Sequence, residues 1–151
     1  MNSFKIKSKS EKETLKIGQI LSENLKGLEL ILLIGELGAG KTTFTQGILK
    51  GLGYKGWGRS PTFVLINEYS LIHNVKHMDF YRLNDVAELI SLGIEEYLDD
   101  DSIKIIEWPE IGMDLYGNNH ILITITKINK IEREIEIKFN NINNSYIINN
   151  L

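Results

Sequence analysis

The chain of 151 residues contains no cysteine, which excludes disulfides, iron–sulfur clusters and cysteine-ligated zinc and is what an intracellular chain would show. It also lacks an excess of positive charge. Against 17 Lys and Arg stand 20 Asp and Glu, a formal net charge of -3; this excludes a protein that wraps nucleic acid through a broad basic face, while leaving room for a local basic patch. No apolar run approaches the roughly 20 residues that a membrane-spanning helix needs. The N-terminal stretch Met1-Asn-Ser-Phe-Lys-Ile-Lys-Ser-Lys-Ser10 has no signal-peptide h-region. From these absences the chain is read as cytoplasmic, with no membrane association. No internal repeat is visible. One domain over 1–151 is expected, long enough to bury about 68–70% of its unfolded surface. Within it, residues 140–151 form an asparagine- and isoleucine-rich tail to which composition assigns no role.

What is present is organised around Gly35-Glu-Leu-Gly-Ala-Gly-Lys-Thr42, preceded by the apolar run Leu28-Glu-Leu-Ile-Leu-Leu-Ile34 and followed by the helix-compatible Thr43-Phe-Thr-Gln-Gly-Ile-Leu49. This is G-x-x-x-x-G-K-[ST] between a buried strand and a helix, the context in which the motif binds polyphosphate. Glycines let consecutive N–H groups point inward at the anion, and the helix N-terminus adds its partial positive charge. Lys41 is placed to reach the β- and γ-phosphates, and the Thr42 hydroxyl to ligate Mg²⁺.

Around this loop the pattern predicts a short strand at Phe4-Lys-Ile-Lys7. A helix follows, opened by the capping box Ser10-Glu-Lys-Glu13, carrying Ile17, Ile20, Leu21 and Leu25 on one face and stopped by Gly27. The run Gly53-Tyr-Lys-Gly-Trp-Gly-Arg-Ser60 reads as a mobile loop, with Tyr54 and Trp57 exposed. Val64–Tyr69 and Val75–Phe80 read as a hairpin turning at His73-Asn74, Val86–Leu92 as a short helix ended by Gly93, and Ile103–Ile106 as a buried strand. His120–Ile128 and Ile131–Phe139 read as a second hairpin. The acidic run Asp99-Asp-Asp101 has no metal-ligand spacing and reads as a solvated loop. The expected fold is α/β, a three-layer domain like those of phosphate-loop NTPases, its mixed sheet parallel around the loop and antiparallel elsewhere.

Hydrolysis needs a carboxylate near Mg²⁺ and a group that orients the attacking oxygen. Glu107 ends an apolar run at what would be the carboxyl edge of a core strand, and alternation puts His77, Asp79 and Tyr81 on one face of another. Either acid could equally be a strand-end residue bonded to a loop.

The ordered set Gly35-Glu-Leu-Gly-Ala-Gly-Lys-Thr-Thr-Phe44, Ser60-Pro-Thr-Phe63, His77-Met-Asp-Phe-Tyr-Arg-Leu83, Glu88-Leu-Ile-Ser-Leu-Gly-Ile94 and Ile106-Glu-Trp-Pro109 resembles the bacterial TsaE family over most of residues 10 to 135. The resemblance implies a Mg²⁺-dependent ATPase acting with a two-subunit threonylcarbamoyl transferase, of TsaD and TsaB type, in N6-threonylcarbamoyladenosine modification of tRNAs reading ANN codons. Contact with tRNA would run through that complex. It further implies that Leu37, Gly38, Ala39, Gly40, Lys41, Thr42 and Thr43 hold the phosphates, that Thr42 and Glu107 ligate Mg²⁺, and that Asp79 positions water or acts in catalysis. Thr62 would sense the γ-phosphate, and Glu11 and Arg133 would contact the adenine side.

Three other readings stay open. The chain could be an assembly subunit in which ATP occupancy orders the residue 53–63 loop into a docking surface, so that the partner reads occupancy rather than turnover. A kinase would need an arginine-rich lid segment, which the sequence lacks. A GTPase would need N-K-x-D, and Asn129-Lys-Ile-Glu132 ends in an acid one methylene too long, while Asp114-Leu-Tyr-Gly117 does not follow directly from a strand.

Overall fold

Isoleucine and leucine crowd four short runs of the sequence, and in the computed structural model, which describes residues 2–57, 61, 65–142, 147 and 151, those runs form four adjacent strands of one continuous sheet. The strands are β1 (Asn2–Ser8), β2 (Leu30–Ile34), β3 (Ile66–Ser70), β4 (Asn74–Asp79), β5 (Ile103–Glu107), β6 (His120–Lys127) and β7 (Arg133–Asn140), in spatial order β1-β7-β6-β2-β5-β4-β3. β6, β2, β5 and β4 run parallel; β3, β7 and β1 are added antiparallel. The mixed sheet is therefore as expected. Central parallel strands are covered on both faces, which is why β2 reads as an unbroken apolar run and β5 as one interrupted only by Lys104 before it ends in Glu107, rather than as alternating strands.

Helices α1 (Glu11–Ser22) and α2 (Lys41–Gly51) cover one face, packing on Ile31, Leu33, Ile105 and Ile123. Helices α3 (Val86–Ser91) and α4 (Ile94–Leu98) cover the other with a 3-10 turn over Glu110–Leu115, against Leu30, Leu32, Met78 and Ile106. Successive residues of β2 thus feed opposite cores, giving three layers. Among the described residues no helix is long and apolar enough to cross a membrane.

The local signals worked where the chain supplies its own hydrogen bonds. Ser10 Oγ accepts the Glu13 N–H at 3.1 Å and Glu13 Oε2 accepts the Lys9 N–H at 2.6 Å, starting α1 as the capping box predicts. Its end differs. The helix stops at Ser22 rather than running to Gly27, because the buried Glu29 carboxylate accepts the N–H groups of Lys26, Gly27 and Leu28 at 2.6, 2.9 and 3.1 Å and organises a turn instead. Leu25 still reaches the core, but from that turn. α4 is an addition: Gly93 ends α3 as predicted and also begins a second short helix.

The hairpin between β3 and β4 turns at Leu71–His73, one residue earlier than expected. That between β6 and β7 is looser, with exposed Ile128 and Ile131 in the loop rather than in strands. Tyr54, expected to be exposed, packs edge-on against Tyr69 at 4.9 Å between ring centroids, whereas Trp57 is 66% exposed. Asp100 is half-buried and bonded to Lys76 and Ser102, so the acidic run is tied down at its middle residue. The tail also contributes packing: Ile147 is fully buried in the same hydrophobic cluster as Phe139 and Ile137, with Ile142 and Leu151 packed against that cluster.

α1 and α2 touch backbone to backbone. A Cβ on Gly18 would lie 2.3 Å from the Phe44 carbonyl oxygen, and one on Gly47 2.0 Å from that of Leu15. This crossing brings the first turn of α1 against the first turn of α2.

Candidate nucleotide and metal site

β2 lies between β5 and β6, and at its carboxyl end the chain turns through residues 35–40 into α2. Gly38 and Gly40 have φ of +75° and +109°, a backbone that side chains with a Cβ adopt only under strain, so glycine is required at both positions for the loop to close around an anion. The N–H groups of the first turn of α2 open toward that loop.

Lys41 is buried. Its Nζ donates to the carbonyl oxygens of Gly35 and of Glu36, the latter at 3.1 Å, and lies 3.9 Å from the centroid of the Trp108 ring. Burial pulls its pKa below the usual lysine value, opposed by the charges of Glu107, Glu110, Asp79 and Glu36.

The two acids stand side by side. β4 and β5 are parallel with Asp79 opposite Glu107, and both carboxylates are buried. Glu107, only 2% exposed, is held at both oxygens: Oε1 accepts from Thr42 Oγ1 at 3.1 Å and Oε2 meets His77 Nε2 at 2.6 Å. Asp79 Oδ1 accepts the Tyr81 N–H at 2.9 Å. Tyr81 has left the strand face that alternation assigned it; it lies beyond the end of β4, exposed, with its ring 4.9 Å from that of Trp108. Trp108 itself has φ +56° between Glu107 and Pro109. Such a backbone costs about 1–3 kcal/mol and persists where surrounding contacts enforce it.

Two clefts flank the loop. One of about 360 Å³ is lined by Leu37, Lys41, Thr42, Asp79, Glu107 and Trp108. The other, of about 300 Å³, is lined by Glu11, Thr14, Thr43, Lys130 and Arg133 among others. They share Gly38, Gly40 and Thr43, so a ligand seated on the loop can extend into both. In the second cleft Thr43 Oγ1 donates to Glu11 Oε1 at 3.4 Å, and Arg133 donates to the carbonyls of Ala39 at 2.8 Å and Gly38 at 3.4 Å. Arg133 thus grips the loop backbone.

All the residues singled out from the sequence meet at these clefts except Thr62, which with Ser60 and Phe63 lies outside the described residues. Sequence reasoning gave His77 and Trp108 no role toward Lys41 or Glu107. The alternation that pairs His77 with Asp79, beside a strand ending in Glu107, was the available signal for the first.

The donors fit Mg²⁺. A hydroxyl and a carboxylate 3.1 Å apart are hard oxygen ligands, and Mg²⁺ is ordinarily held by one or two such groups together with substrate phosphates and water. Among the described residues there is no group of three or more His, Cys, Asp or Glu that could hold a metal ion without a substrate. Guanine recognition by Asn129 is not supported, since its Oδ1 accepts the N–H groups of Ile131 and Glu132 at 3.0 and 2.9 Å and shapes the hairpin loop.

Comparison with known proteins adds an independent finding. Residues 8–135 match the family model described as threonylcarbamoyl adenosine biosynthesis protein TsaE. The chain is 44% identical over 97 residues to the tRNA threonylcarbamoyladenosine biosynthesis protein TsaE of Haemophilus influenzae, an alignment covering 64% of this chain and 61% of that one. To the protein of the same name from Bacillus subtilis it is 35% identical over 136 residues, covering 89% and 85%. Its fold superposes on the crystal structure of Bacillus subtilis YdiB with a TM-score of 0.77 at 28% identity, covering 91% of this chain and 86% of that one.

Proposed function

The chain belongs to the TsaE family, and on that premise we propose that it is the ATP-binding and ATP-hydrolysing subunit of a cytoplasmic system that makes threonylcarbamoyladenosine in tRNAs reading ANN codons. The observation that carries the ATPase reading is the hydrogen bond of 3.1 Å between Thr42, at the end of the phosphate loop, and Glu107, at the end of β5, within a cleft that also holds Lys41 and Asp79. In this reading the loop amides from Leu37 to Thr43 and the Lys41 ammonium hold the polyphosphate, exchanging carbonyl partners for phosphate oxygens. Thr42 and Glu107 would hold Mg²⁺. When bound, that ion neutralises charge on the β- and γ-phosphates. Asp79 orients the attacking water, with one oxygen already fixed by the Tyr81 N–H. Glu11 and Arg133 border the adenine side, and Thr62 senses the γ-phosphate. A transferase pair of TsaD and TsaB type is the partner, and tRNA is met through it.

The test is ATP turnover by the full chain, alone and with the transferase pair and tRNA. Turnover that requires Mg²⁺ and rises in the assembled system supports the reading. Absence of turnover in both, with tight Mg-ATP binding retained and modification still supported, would leave occupancy as the signal.

A further inference from the structure

Nothing in a glutamate side chain itself chooses between its two oxygens, because the last torsion is broad and two-fold. At Glu107 the choice is made by a neighbour. His77 on β4 is 1% exposed, and its Nε2 lies 2.6 Å from Glu107 Oε2, across the parallel β4–β5 pairing. Its Nδ1 is buried with no hydrogen-bond partner among the described residues. The ring therefore carries its proton on Nε2, donated to Oε2, since an N–H at Nδ1 would be orphaned in the interior. The other oxygen, Oε1, faces Thr42.

We propose that His77 makes Glu107 a single-oxygen metal ligand and thereby sets the preference of the nucleotide site for Mg²⁺ over Ca²⁺. The proposal rests on reading Glu107 as a metal ligand. Mg²⁺ demands near-octahedral geometry and takes carboxylates through single oxygens, whereas Ca²⁺ accepts six to eight oxygens and commonly binds a carboxylate through both. For Glu107 to turn both oxygens to an ion beside the Thr42 hydroxyl, its carboxylate must rotate Oε2 out of line with the His77 donor that now holds it at 2.6 Å in the interior, which penalises the two-oxygen mode selectively. Asp79 faces Glu107 in register, and its carboxylate is oriented through Oδ1 by the Tyr81 N–H. His77 is a positioning residue here, acting through Glu107.

The experiment is equilibrium binding of a fluorescent ATP analogue to the full chain, titrated separately with Mg²⁺ and Ca²⁺, for the wild type, His77→Leu and His77→Gln, with thermal unfolding in EDTA to establish that each is folded. Wild type should need less Mg²⁺ than Ca²⁺. His77→Leu should raise the Mg²⁺ requirement about tenfold while leaving the Ca²⁺ requirement unchanged or lower, and His77→Gln, whose amide N–H can reach the same oxygen, should restore the wild-type ratio. Should His77→Leu not fold, His77→Met removes the donor with a flexible apolar chain and carries the same test. Equal shifts for both ions, or none, in a folded donor-less variant would overturn the inference while leaving the ATP reading intact. Nucleotide binding by the wild type that ignores divalent ions would remove Glu107 as a metal ligand and the inference with it.

Discussion

The Lys41 ammonium sits over the Trp108 indole, 3.9 Å from the ring centroid, while donating to the carbonyls of Gly35 and Glu36. Drawing that ammonium toward phosphate oxygens changes the charge against one of the 2 tryptophans in the chain. Intrinsic fluorescence should therefore respond to Mg-ATP. The response should persist in Trp57→Phe, whose ring is exposed, and vanish in Trp108→Phe. A signal that follows Trp57 would show that Lys41 does not leave the ring.

Lys41→Ala deletes a charge-assisted contact of the kind that contributes about 1.5–3 kcal/mol, so ATP affinity should drop roughly tenfold or more. Isothermal titration of the variant measures it directly. Thermal stability should change little by comparison, because the lysine's present partners are loop carbonyls at the edge of solvent.

The two neighbouring acids should separate by phenotype. Glu107→Gln keeps the shape but removes the charge beside Thr42 and His77, so it should raise the Mg²⁺ concentration needed for turnover. Asp79→Asn should keep nucleotide binding and lose turnover by about 10²-fold or more, the scale of a positioned proton acceptor. Steady-state rates across a Mg²⁺ series decide it, and exchanged phenotypes would reverse the two assignments.

Gly47→Ala probes the helix crossing under the site. Its new methyl would meet the Leu15 carbonyl oxygen at 2.0 Å, backbone against backbone, so α1 and α2 must part. Destabilisation of about 1–3 kcal/mol is expected from overpacking, read as a lower unfolding midpoint. The same displacement moves Glu11 away from Thr43, so ATP affinity should weaken in the folded fraction.

Local chemistry was legible without coordinates. The phosphate loop is eight consecutive residues whose types follow from the charge of the ligand, the Ser10–Glu13 cap closes within one helical turn, and the buried strands declare themselves by apolar runs. Glu107 could be named because it ends an apolar run, and Asp79 because alternation sets it on one face of a strand. What bonds them could not. Thr43 meets Glu11 across 32 positions, His77 meets Glu107 across 30 and Arg133 meets Ala39 across 94. Each of these contacts depends on strand order and helix crossing, which local periodicity does not encode because it reports which face of an element is buried and not against what. The early end of α1 has the same cause: a carboxylate seven positions beyond Ser22, Glu29, offers the backbone three bonds that compete with the helix. The tail shows the converse, since its biased composition hides Ile147, whose burial is decided only by the large hydrophobic cluster that it joins in the folded chain.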